Sequence, residues 1–354
     1  MSPAAVDRPD RQATGIAGNI LRARESSVVA VLIVLIALLY LAPEIGRISF
    51  VRSHVDLSNV RATFFSQLNM QHLMLQIALL STFAIGETIV IITGGIDLSL
   101  GSLIAFSGML LAATATRLSG GSQALAISVA ILFTLGVAFG IGAVNASLIH
   151  KLRLPPFVVT LAGLTILRSQ SLLMNGQLPI SVSDFRFLGT LANGSSFRLP
   201  NPFIILVVIA VSTHLILART RMGRHVYSLG SNEQATRLSG VNVFRVKLFA
   251  YGTSAVLAGI AGILYAGYGG QGDPLSGSGY ELNAVAASVI GGANLMGGQG
   301  SVVGTLLGAC LLNVILSAIN LTIANPALYE GTVVGGVLLL AVLTTALQQR
   351  RLQT

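Results

Sequence analysis

Charge is scarce in this chain. Only 9% of its 354 residues are charged, against roughly 25% in an ordinary soluble domain. So few ions cannot cover the water-facing surface of a soluble protein this long, which excludes that class. Lysine is rarer still. The two present are Lys151, preceded by His150, and Lys247, preceded by Val246. A phosphate-cradling loop ends in Gly-Lys-Ser/Thr, so the chain has no P-loop of its own. Its single cysteine, Cys310, stands inside an apolar run. No internal disulfide can form, and no Cys/His cluster offers a metal site. The reading therefore assigns no metal, no cofactor and no catalytic residue.

What is present is apolar bulk, 53% of the chain, arranged in long runs. Val28 to Leu41 carries no charge, nor do the 26 residues from Ala124 to Ile149. About 20 apolar residues cross the hydrocarbon core of a bilayer. The chain is accordingly read as a membrane protein embedded in lipid. The net charge of +9 is not the mark of a nucleic-acid partner, because its Arg and Lys sit in short segments between the runs. The first run ends in Leu38, Leu39, Tyr40 and Leu41, and Ala42-Pro43-Glu44 is not a cleavage site of the A-x-A kind. It reads as an uncleaved first span.

Ten apolar segments predict helices near 28–46, 73–93, 99–116, 124–149, 157–174, 202–218, 248–268, 283–293, 301–323 and 331–347. The eighth is too short to cross straight and reads as re-entrant or broken. The expected fold is an all-α polytopic transmembrane helical bundle of eight to ten spans, ten in the preferred version. Residues 1–27 and 348–354 are read as cytoplasmic tails around a transmembrane domain at 28–347. With the N-terminus inside, the inner loops hold fourteen Arg and Lys and the outer loops six, namely Arg47, Arg52, Arg61, Arg117, Arg186 and Arg198. That is the expected sign of the positive-inside bias, and it places both termini in the cytoplasm.

Small residues at helical spacing, Gly136, Gly140 and Ala143, and again Gly304 and Gly308, predict close helix packing. Gly94 to Leu98 and Gly291 to Leu295 echo each other as a weak internal repeat, each followed by a Gly-Ser pair. Ionisable residues within spans are expensive and attract attention. Gln76, Phe83, Glu87 and Gly94 share one helical face, which suits either the wall of a polar pathway or polar glue between helices. Asp97, ahead of Ser99, suits an N-cap or a solute contact. Arg168 near the end of its segment suits snorkelling or interhelical pairing. With Asn294, the residues Gln76, Glu87, Asp97 and Ser99 form the candidate substrate pathway.

Between the sixth and seventh segments lies a charged stretch, Arg219 to Lys247. Within it, Leu229 to Gly240 reads as one short helix. Asn232 is a good N-cap, Glu233 suits the positive end, Glu233 and Arg237 are spaced to pair, and Gly240 is a natural stop. Ala235 and Leu238 give it a small apolar face. So short a helix needs something to dock on.

The Gly-x-Asn-x-x-Ala-x-x-x-x-Gly pattern of Gly230 to Gly240 resembles the cytoplasmic coupling loop of ribose/xylose-type ABC permeases. Three further stretches are similar to that family, in order along the chain: GGIDLSLGS from Gly94, PPFVVTLAGLTILRSQSLLMN from Pro155, and GYELNAVAASVIGGANLMGGQG from Gly279. Thr236, Ser169 and Asn283 depart from it, and Asn283 takes away a carboxylate. The resemblance implies a transport subunit in the bacterial inner membrane that is not itself an enzyme. Gly230, Asn232, Glu233, Ala235, Arg237 and Gly240 would then contact a separate ATP-binding subunit. It also implies a second permease copy or paralogue, a periplasmic sugar-binding protein, and alternating access. Two rivals stay open. One is a proton- or sodium-coupled secondary transporter using Glu87 and Asp97; the other is a branched-chain amino acid or nucleoside ABC permease.

Overall fold

The computed structural model describes the backbone of residues 10–45, 59–323 and 325–353, and the side chains of 25–42, 44, 59–323 and 325–343. Tail residues 1–9, Arg47 and Arg52 lie outside the described residues, as do the side chains of Arg11, Arg22, Arg24, Arg350 and Arg351. Helix α1 (Asp10–Ile45) begins well ahead of the apolar run, and the short α2 (Val60–Phe64) follows it. Then come α3 (Gln67–Ile92), α4 (Leu100–Arg117), α5 (Gln123–Lys151) and α6 (Pro156–Leu173). Past β1 (Ile180–Ser181), α7 (Arg186–Asn193) leads through β2 (Ser195–Ser196) and β3 (Leu199–Pro200) to α8 (Asn201–Arg219). Helices α9 (Arg221–Ser231) and α10 (Glu233–Leu238) precede α11 (Val243–Gly269) and β4 (Gln271–Gly272). The chain closes with α12 (Tyr280–Ile290), α13 (Val302–Thr322) and α14 (Ala327–Gln353).

Among the described residues, eight helices are long and apolar enough to cross a membrane, all in segments the hydropathy pattern marks. Helix α12, at 11 residues, is not one of them. It spans about 16 Å and sits between two glycine-rich turns, as its short apolar run foretells. The apolar part of α14 described in full runs from Ala327 to Leu343.

Helix α11 lies at the centre, against α3, α4 and α5. Burial in α3 is close to complete from Ala78 to Ile92, whereas α5, α6 and α8 bury one face each. Their outer faces carry Leu132, Ile166 and Val208 largely exposed, which suits lipid and not water. One expectation needs correction. Gly136 and Gly140 pack on nothing among the described residues, because the face of α5 turned to α11 is that of Thr134, Ala138 and Gly142. Of the two roles open to Arg168, the structure has pairing: its Nη1 donates to the carbonyls of Pro274 and Ser276 at 2.8 and 2.9 Å, tying α6 to the turn before α12. At the same end of the bundle, β1 pairs antiparallel with β4.

Candidate functional site

At the opposite end, the segment read as one helix is two. Helix α9 ends at Ser231, Asn232 breaks it in an extended conformation, and α10 starts afresh. Asn232 Oδ1 accepts from the Ala235 amide at 2.9 Å, the N-cap its position predicts. Gly240, at φ +80°, lets its own amide and that of Val241 return to the carbonyls of Arg237 and Thr236. Glu233 turns away from Arg237 and binds Lys247 Nζ of α11 at 3.0 Å. That ion pair is half exposed on the carboxylate side and contributes under about 1 kcal/mol, and it joins α10 to α11. Thr236 faces inward, while Ala235 and Leu238 stand exposed.

Helix α9 is locked to the bundle through its last turn. A Cβ on Gly230 would collide with the carbonyl of Ile92, the last residue of α3, and with the amide of Gly298. Gly298 N donates to that same carbonyl at 2.9 Å, and Tyr227 Oη donates to Gly300 O at 2.9 Å. Burial pushes the Tyr227 phenol above its ordinary range, so it stays a neutral donor. The end of α3, the end of α9 and the turn joining α12 to α13 are therefore tied directly to one another. Asn294 belongs to that turn, where its Oδ1 accepts from the Met296 amide at 3.1 Å. Gly94, which opens the first of the echoing stretches, lies against Gly297, two residues past the second.

Glu87, Asp97 and Ser99 form a separate, sealed cluster. Gly94, at φ +82°, turns the chain back so that the Asp97 amide points at both Glu87 oxygens, at 3.2 and 3.3 Å. Asp97 Oδ1 accepts from the amide and hydroxyl of Ser99, although Ser99 itself is the N-cap residue of α4. Tyr251 of α11 is buried against Gly95 and also lines a cavity of about 370 Å³ beside α10. The cluster braces the α3–α4 turn against α11.

Gln76 lies elsewhere, in a cavity of about 510 Å³ in the other half of the bundle. Helix α3 contributes Asn69, His72 and Gln76, α12 contributes Tyr280 and Asn283, and α13 contributes Asn313, Ser317 and Asn320. Phe83 closes it, its ring stacked on Tyr280 with centroids 6.0 Å apart. Of the five pathway candidates, Gln76 alone reaches this cavity. The sequence reading missed the others, although 69, 72 and 76, and 313, 317 and 320, are polar stripes at helical spacing inside apolar runs.

The comparisons agree with this architecture. The family model described as a branched-chain amino acid transport system / permease component matches residues 69–342. The ribose import permease of Escherichia coli strain K12 is 36% identical over 289 residues, which is 81% of this chain and 88% of that protein. The ribose import permease of Bacillus subtilis is 35% identical over 290 residues, 82% of this chain and 88% of that protein. The fructose import permease of Rhizobium meliloti is 31% identical over 270 residues, covering 74% of each chain. No solved structure matches.

Proposed function

The chain belongs to the ribose-type ABC permease family, and from that premise we propose that it is the membrane-spanning subunit of an importer of monosaccharides. In this reading a separate ATP-binding subunit supplies the energy, a periplasmic sugar-binding protein delivers the solute, and two permeases form the pathway. The observation that carries it is α10: a short helix capped at both ends, with Ala235 and Leu238 exposed. Docking of the ATPase subunit on that face pulls α9, and through Gly230 and Tyr227 the turn at Asn294. That turn joins α12 to α13, so motion at α10 reaches the walls of the cavity. The energy of ATP arrives as displacement, and this chain does no covalent chemistry.

The test separates ATP from an ion gradient. Glu87 is buried with both oxygens against the Asp97 amide, and glutamine keeps an oxygen for that amide. Glu87→Gln is therefore expected to retain at least about half of wild-type uptake, since a conserved acceptor limits the loss to a fraction of a kcal/mol. Uptake by wild type and variant should persist with an uncoupler while ATP is held constant. Collapse of uptake with the proton gradient would favour the secondary transporter instead.

The charge bias supports placing α10 and both termini in the cytoplasm. On a Cys310→Ser background, an impermeant thiol reagent added outside should label Ser195→Cys and miss Ser231→Cys. Both positions are exposed, so sidedness alone decides the result. The reverse pattern would invert the topology.

A further inference from the structure

The geometry points to the cavity between α3, α12 and α13 as the station that holds the solute in transit, built for a neutral polyhydroxylated molecule. This inference rests on the importer reading and names the site within it.

At about 510 Å³ the cavity lies within the roughly 300–1,000 Å³ of small-molecule sites. Its polar lining is mostly amides, set beside leucines and aromatic rings. Three are held in place by backbone carbonyls: Asn313 Nδ2 donates to Ala309 O at 2.9 Å and Asn320 Nδ2 to Leu316 O at 3.0 Å within α13, and Asn69 Nδ2 to Phe64 O of α2 at 2.8 Å. Each amide uses one N–H in this way and keeps a second N–H and the carbonyl oxygen for the cavity. A fixed group that both donates and accepts is what a hydroxyl requires, and fixing it beforehand lowers the cost of binding. The face of the Phe83–Tyr280 stack adds an apolar floor for the C–H side of a sugar ring.

Charge narrows the class further. Among the described residues no Arg or Lys lines the cavity, and its ionisable groups are His72 and Glu330. A phosphate or the carboxylate of an amino acid would find no guanidinium or ammonium there to replace its water.

The cavity also ends blind. Five residues beyond Phe83 on α3, the Thr88 hydroxyl lies 2.8 Å from Ser288 Oγ and 2.6 Å from Thr305 Oγ1. Below that, Gly304 is seated on the Gly291 carbonyl and Gly308 on that of Ala287, with no room for a Cβ. The same three helices thus part to form the cavity and close toward the Asn294 turn. A solute entering from the cavity side is stopped at the aromatic floor until that turn moves.

The experiment uses the complete complex, with its ATPase and binding protein, in proteoliposomes with D-ribose as the probe. Gln76→Leu, Asn313→Leu and Asn320→Leu are each expected to lower the sugar imported per ATP hydrolysed by roughly tenfold or more, as unpaired hydroxyls would. Asn313→Gln or Gln76→Asn should restore part of it, which a purely packing role would not allow. A wild-type sugar-to-ATP ratio in all three leucine variants would overturn the station. Absence of ATP-dependent uptake by the wild-type complex would count against the importer reading instead. A second measurement needs no transport. On the Cys310→Ser background, Ser317→Cys should react with a soluble maleimide, and millimolar D-ribose should slow that reaction severalfold. Leucine or a sugar phosphate at equal concentration should not. Equal rates with and without D-ribose, or protection by leucine, would overturn the assignment whichever way uptake falls.

Discussion

Ala235→Arg is expected to abolish ATP-dependent uptake while the permease accumulates in the membrane at its wild-type level. Ala235 is exposed on α10, so the guanidinium disturbs nothing within the chain. In the assembly proposed above, the same position lies against the ATPase subunit. A long cation buried there without a partner costs on the order of 3 kcal/mol, or more than a hundredfold in docking. Gly240→Pro should give the same phenotype by another route. Proline locks φ near −65°, while Gly240 stands at +80°, so α10 loses its C-terminal stop. Uptake rates, immunoblots of membranes and co-purification with the ATPase subunit separate lost coupling from lost protein. Normal uptake by both variants would end the claim that α10 transmits the stroke.

Gly230→Val should be as damaging, and for a reason internal to the chain. Three backbones converge at Gly230: its own, the Ile92 carbonyl and the Gly298 amide. Any side chain pushes α9 off the end of α3 and breaks the Gly298–Ile92 hydrogen bond. Overpacking of this kind costs roughly 1–3 kcal/mol, and the broken bond about 1 kcal/mol more. We expect uptake below about a tenth of wild type together with faster proteolysis of the 291–300 turn, which loses its anchor. Gly120→Val serves as the control, because nothing lies within 4 Å of where its Cβ would stand. It should transport normally. A Gly230→Val protein that transports as well as Gly120→Val would dissolve the mechanical link between α9 and the cavity walls.

Local rules explain why some of this was legible early. Asn232 and Gly240 act within a few residues of themselves, so cap and stop could be read from spacing. Hydropathy is likewise a property of contiguous residues, and the long runs appear as helices within about six residues of their predicted ends, except that α1 starts at Asp10, well ahead of its run. The short eighth segment was visible as short. Glu233 shows where local reasoning stops. Spacing offered it Arg237, but α11 brings Lys247 within 3.0 Å, and a cross-link between elements won over one along a helix.

The apolar runs alone determined that this chain lives in a bilayer, and the scarcity of lysine that it holds no P-loop. Motif order alone pointed to the family. Which polar stripe faces which was decided only by tertiary packing. Glu87 and Gln76 share a face of α3 on paper, yet one is sealed by the returning Gly94–Asp97 turn and the other opens into the cavity. The stripes on α3, α12 and α13 line one cavity, and Gly304 and Gly308 let α13 close on Gly291 and Ala287 at the end of α12 while Thr88 of α3 meets Ser288 and Thr305. Sequence periodicity fixes where a residue lies around its own helix; the meeting of three helices depends on how closely their backbones can approach.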